Sequence, residues 1–274
     1  MNLPALAKIA ITAAKAAGAA INRYTDREVS VEHKVGGDSY ASQVVTAVDK
    51  ESEAIILSHL LPTCKEFDIA LLSEETADDG SRFEKDCFWC IDPIDGTLPF
   101  IRKVPGFCVS IALVGKDAHP LIGVVYDPST ETLYHAIRGQ GAFRNEQSWK
   151  IDLKNKYLTY VSDKPLADTP RADEIRELLE GYRQQLGLSE IREISGSGAV
   201  LAAIRVLENG PACMLKFPKP QQGGGSIWDY AATACIYQEL HLPATNFAGG
   251  PLDLNRAADS FMNHEGVWFG TFGR

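Results

Sequence analysis

The sequence predicts an α/β or α+β protein built from layered sheets and helices. Three observations carry that expectation. Helix and strand patterns alternate along nearly the whole chain. The apolar runs 108–114, 121–126 and 132–136 are strand-length and joined by short turns, which predicts an antiparallel sheet in the middle. With 274 residues, 45% of them hydrophobic, the chain can build a large core. We expect one compact unit, with an N-terminal α+β half (1–150) and a C-terminal α/β half (151–274) completing whatever site the first half begins.

The elements follow in order. Residues 3–21 are Ala-rich and amphipathic and read as a first helix. Lys8 and Lys15 interrupt their apolar run, and no basic region precedes it as in a secretory leader. No stretch approaches the about 18 uninterrupted apolar residues of a spanning helix, so a cytoplasmic protein without a membrane partner is expected. The polar segment 27–43, with Gly36 and Gly37, reads as a hairpin or loop. A helix is predicted over 47–61, with Ile55, Ile56 and Leu60 as its stripe and Pro62 ending it. Strands are predicted at 69–73 and 87–91, and Gly139, Gly141 and Asn145 mark turns after the middle strands. In the second half the pattern gives strand 157–162, helix 172–186, strand 191–194, a helix over 196–208 opening on small residues, strand 212–216, a Pro/Gln/Gly loop over 219–226, and helix 228–238.

Charge and cysteine usage exclude some functions. The formal net charge of -9 argues against a nucleic-acid polymer as partner. Cys87 and Cys90 form a CxxC that in another setting would suggest zinc or redox chemistry. Here both sit in an apolar run, and a three-residue separation sends them to opposite faces of a strand, so they read as buried small hydrophobes. The six His show no ligand spacing.

The informative segment is Asp92-Pro93-Ile94-Asp95-Gly96-Thr97, directly after a buried strand. Two carboxylates in what reads as a tight turn need a countercharge if buried. Carboxylates with the Ile94 carbonyl make an all-oxygen donor set suited to Mg²⁺ or Mn²⁺. Amides around Gly96 and Thr97 are placed to face an anionic oxygen. Leu72-Ser73-Glu74-Glu75 is a second strand ending in acids, Asp229 opens a helix after Trp228, and Asp49 begins another after Thr46.

Asp49, Glu74-Glu75, Asp92 to Thr97 and Trp228-Asp229, in this order, resemble the signature of the inositol monophosphatase superfamily. That superfamily comprises magnesium-dependent, typically lithium-sensitive phosphomonoesterases. The resemblance implies a layered αβαβα sandwich and a homodimer. It implies that Glu74, Asp92 and the Ile94 carbonyl hold one metal, that Asp92, Asp95 and Asp229 hold a second, and that Glu75 assists a third. It implies that Thr97, paired with Asp49, orients and deprotonates the attacking water. Two or three Mg²⁺ per site would neutralise the phosphate and clamp the entering and leaving oxygens.

Substrate choice is less legible. Inositol monophosphatases carry a small or polar residue, Asn and Phe after the Thr, and bisphosphate nucleotidases carry Lys-Glu; Asp92 to Phe100 is nearer the first form, although Leu98 and Pro99 fit neither well. The Glu that inositol monophosphatases place shortly before Trp-Asp is missing from 221–226, whereas Lys216 and Lys219 lie upstream and suit a second phosphate. Gly196 and Ser197, with Gly96 and Thr97, are the further substrate-contact candidates. The expected activity is hydrolysis of an inositol monophosphate-type metabolite. The alternative is a 3'(2'),5'-bisphosphate nucleotidase acting on adenosine 3',5'-bisphosphate, and, from another class, a non-catalytic metal- or ligand-binding regulator.

Overall fold

Residues 1–25, 31–33 and 44–274 are described in the computed structural model of the protein. Leu6, Ala10, Ala14, Ala17 and Ile21 recur at helical spacing and form the buried face of α1 (Leu3–Asn22). By length and composition α1 could cross a membrane, yet that face is packed into the core beside α2 (Ala47–Phe67). The segment expected to form a hairpin over 27–43 lies largely outside the described residues. Its described part, β1 (Val31–His33), pairs antiparallel with β2 (Val44–Thr46) just beyond it.

α2 does not stop at Pro62 but runs on to Phe67. Pro62 is exposed, so its missing N–H faces solvent. The next residue, Thr63, is buried and accepts from the Trp89 indole at 2.9 Å, which ties the last turn to the sheet.

The larger sheet has seven strands in the order β3 (Ala70–Ser73), β4 (Cys87–Asp95), β5 (Cys108–Gly115), β6 (Pro120–Asp127), β7 (Thr132–Ile137), β8 (Gly141–Arg144) and β9 (Gln147–Ser148). Only the β3–β4 pair is parallel; from β4 to β9 the sheet is an antiparallel meander, as the short turns predict. Both faces are covered, so β4 and β5 are buried at every residue. Cys87 enters the core under α1 and α2, and Cys90 enters the core on the opposite face; all six cysteines are free.

The smaller sheet has the order β11 (Ile191–Ser195), β10 (Leu158–Ser162), β12 (Ala212–Lys216), β14 (Val267–Gly270) and β13 (Ala244–Thr245). Between the sheets lie α5 (Ala199–Glu208) and α6 (Ile227–Glu239), which share one core with both. α4 (Ala172–Gln185) covers the outer face of the smaller sheet. The result is five layers, αβαβα. One boundary differs from expectation: α5 begins at Ala199, and Gly196 to Gly198 form an irregular approach with Gly198 extended.

Candidate active site

The Asp92–Asp95 segment is not a tight turn. It continues β4 to its last residue, and the ladder with β5 slips inside it. Asp92 lies opposite Ser110 and Asp95 opposite Cys108, so two residues on β4 face one on β5. This bulge decides the chemistry. In a regular strand, positions three apart point to opposite faces, as Cys87 and Cys90 do. The extra residue returns Asp95 to the side of Asp92. Asp229, in the first turn of α6, meets them there: oxygens of Asp92, Asp95 and Asp229 lie within 4.8 Å of one another.

Two of these acids also hold helices. Asp95 Oδ1 accepts from the Ala199 amide at 2.9 Å and Oδ2 from Val200 at 3.0 Å, at the N-terminus of α5. Asp229 Oδ2 accepts from the Ser226 amide at 2.5 Å, as the N3 acid of a capping box. Asp92 Oδ1 accepts from Ile94 N at 3.0 Å. Burial, then the Asp229 charge, pushes the Asp95 carboxyl well above the usual carboxylate range, against the pull of the helix amides.

Gly96 follows at φ +87, and a Cβ there would fall 2.4 Å from the Gly106 carbonyl, so only glycine fits. α3 (Thr97–Ile101) starts immediately after it. The Thr97 hydroxyl lies 3.3 Å from the Ile94 carbonyl and 3.5 Å from Asp49 Oδ1. Asp49 is buried in the first turn of α2.

The other expected residues are distributed around this centre. Ser73 pairs with Ile91, and Glu74 N donates to the Ile91 carbonyl at 3.1 Å, which sets Glu74 beside Asp92 just past the end of β3. Glu74 and Glu75 stand outside the three-carboxylate group. Gly196 packs on Gly106, where a Cβ on Gly106 would come 2.6 Å from the Gly196 carbonyl. Ser197 is buried, and its hydroxyl has no hydrogen-bond partner. Lys216 closes β12 and is paired with Asp163 at 3.3 Å. Burial alone would lower its pKa, but Asp163, Tyr230 and Asp229 together hold it above the ordinary lysine value.

A profile of the inositol monophosphatase family matches residues 2–266. The chain belongs to the inositol monophosphatase family. It is 32% identical over 250 residues to the inositol-1-monophosphatase of Synechocystis, covering 90% of this chain and 81% of that one. It is also 32% identical over 222 residues to the 3'(2'),5'-bisphosphate nucleotidase CysQ of Shigella flexneri, covering 80% and 82%. In structure it resembles an IMPase/NADP phosphatase complexed with Mg²⁺ and phosphate, at a TM-score of 0.73 and 22% identity, over 98% of this chain and 92% of the other. Members of the inositol monophosphatase family are metal-dependent phosphatases, and this chain is a phosphatase of that family.

Sequence reasoning missed several family-site neighbours. Gly198 approaches Asp95 so closely that a Cβ would fall 2.2 Å from its carboxylate. Ser110 donates to the Trp228 carbonyl at 3.2 Å and fastens the first turn of α6 to β5. Glu53 lies one turn beyond Asp49, and its i,i+4 spacing was the only available signal. The glycine run before Trp228 wraps over Tyr230, whose hydroxyl donates to the Gly224 carbonyl at 2.6 Å; a Cβ on Gly225 would strike that ring.

Proposed function

We propose that the protein is a Mg²⁺-dependent phosphomonoesterase that hydrolyses a small phosphorylated metabolite of the inositol monophosphate kind. One observation carries the reading: three carboxylates from two distant segments converge within 4.8 Å, beside a threonine hydroxyl within reach of a buried aspartate. The donor set fits a hard divalent cation. It is all oxygen, Asp92 and Asp95 are buried, and burial and then the Asp229 charge raise the Asp95 carboxyl above the ordinary range. In this reading Asp92, Asp95 and Asp229, with Glu74 and the Ile94 carbonyl, hold two Mg²⁺, and Glu75 supports a third. Mn²⁺ would be accepted by the same donors. The bound cations supply charge neutralisation on the phosphate and acidify the attacking water.

The chain's own residues do the rest. Thr97 passes its hydroxyl proton to Asp49 as it takes one from water; a hydroxyl alone is too weak a base. The 3.5 Å separation is at the long end for this bond. Amides at the start of α3 and the turn at Gly196 and Ser197 border the substrate, and the Ser197 hydroxyl has no partner within the protein. The Synechocystis relative and the Mg²⁺- and phosphate-bound neighbour support this assignment.

The nucleotidase reading is favoured by one feature. Residues 217–226 contain no acid to bind a sugar hydroxyl, whereas Lys216 offers a cation beside Asp229. A phosphate-release panel of inositol 1-phosphate, adenosine 3',5'-bisphosphate and fructose 1,6-bisphosphate, with Mg²⁺ and with EDTA, separates them. Turnover is expected with Mg²⁺ and not with EDTA, fastest on inositol 1-phosphate. Asp95→Asn is expected to fold and to release no phosphate. Turnover in EDTA, or in that variant, overturns the assignment.

A further inference from the structure

α2 presents an unusual face to the site. The positions that continue its apolar stripe toward the N-terminus are occupied by Asp49, Ser52 and Glu53, all buried. Each has a defined task. Asp49 meets Thr97, and Ser52 donates to the Pro93 carbonyl at 2.8 Å. Glu53 accepts from two hydroxyls at the same oxygen: Ser73 at 2.5 Å and Thr76 at 3.0 Å. These two residues bracket Glu74 and Glu75. The dipeptide is therefore fastened on both sides to one buried carboxylate, while the Glu74 amide is fastened to Ile91.

We propose that Glu53 is a positioning residue that holds the Glu74-Glu75 strand end in place for metal. The inference rests on the reading of Glu74 and Glu75 as ligands given above. A buried carboxylate is a costly way to close a helix–strand contact, since an apolar pair would serve packing alone. Two hydroxyls and one oxygen instead fix the direction in which the segment leaves β3. Partners of this outer kind typically change metal affinity by about 10–100-fold when removed. Loss of Glu53 should therefore appear as weaker metal binding rather than as a slower reaction at metal saturation.

The test is a Mg²⁺ titration of wild type, Glu53→Ala, Glu53→Gln and Glu74→Gln, read two ways. One readout is the Mg²⁺-dependent rise of Tm without substrate, and the other is the Mg²⁺ midpoint of phosphate release. Glu53→Ala is expected to raise both midpoints about 10-fold or more, with kcat recovering at high Mg²⁺. Glu53→Gln keeps an acceptor oxygen for both hydroxyls and is expected to restore wild-type midpoints. Should Glu53→Ala fail to fold, the pair Ser73→Ala with Thr76→Val removes the same bonds and is expected to raise the midpoints alike. A Glu53→Ala protein with a lower metal-free Tm and an unchanged midpoint overturns the proposal and leaves a structural staple. A Glu53→Gln midpoint as weak as that of Glu53→Ala overturns the hydrogen-bond role. An unmoved midpoint in Glu74→Gln identifies the ligand assignment as the failing step.

Discussion

Asp95 does two jobs with one carboxylate. It belongs to the three-acid group, and both of its oxygens accept amides of α5 from residues 104 and 105 positions away. Gly198 makes this possible by leaving no side chain between them. Gly198→Ala would place a Cβ 2.2 Å from the Asp95 carboxylate at an ordinary φ of -60, so the clash acts without backbone strain. The carboxylate must shift, and a displacement on the order of 1 Å can cost about 10²-fold in rate. We expect Gly198→Ala to lose phosphate release by about that factor while retaining the wild-type far-UV spectrum. Full activity would show that the Asp95 contact with α5 is dispensable. At this scale the sequence was readable where one residue type has one meaning. Asp92 and Asp95 were legible because clustered acids after a buried strand need a cation, whereas Asp229, at a helix start, was legible only through the resemblance. Glu53 was not, because a Glu on a helix is ordinarily solvated, and only the packing of α2 on the larger sheet buries it.

Among the elements, α6 decides where Asp229 stands. Its alanines allow close packing, but the sequence did not reveal against what. The partner is Gly123 on β6, where a Cβ would come 2.2 Å from the Ala232 carbonyl. Gly123→Ala is therefore an overpacking change between a central strand and a middle-layer helix, costing about 1–3 kcal/mol. At about 2–4 °C per kcal/mol for a chain of this class, a calorimetric Tm lower by several degrees is expected. Phosphate release should fall with it, because Asp229 rides on the same helix. An unchanged Tm would mean that α6 shifts freely on the sheet. The bulge in β4 is the other decisive element. Alternation placed Cys87 and Cys90 correctly on opposite faces. The same arithmetic would have separated Asp92 from Asp95, and the slipped ladder with β5 reverses that outcome. Pro62 teaches a similar lesson: a proline ends a helix unless its missing bond faces solvent and the next turn is fastened elsewhere, here by Thr63 and Trp89.

For the whole molecule, the proposed site is a joint. Asp92 and Asp95 come from the larger sheet, Asp229 from α6, and the amides on Asp95 from α5. A cation there would bind only the folded arrangement, and so would stabilise it by mass action. At a concentration of about 100 times its Kd, a single bound ion adds about 2.7 kcal/mol. Mg²⁺ is thus expected to raise Tm by roughly 5–11 °C over the EDTA-treated protein, from about 2–4 °C per kcal/mol. A Tm indifferent to Mg²⁺ and EDTA would separate the acidic cluster from metal binding.

The sequence by itself determined the alternation of elements, the antiparallel meander, the covered strands and the ordered acidic motifs, because these follow from local periodicity and local chemistry. Even the net charge of -9 takes on meaning there, since six of the 36 acids belong to the proposed site. The tertiary structure alone decided that Asp92 and Asp95 share a face, that Asp229 joins them, that Glu53 is buried behind Glu74, and that Lys216 is paired with Asp163. Each of these depends on register or on contact between residues far apart in the chain. No local pattern encodes such contacts; they arise only when sheets and helices close over a common core.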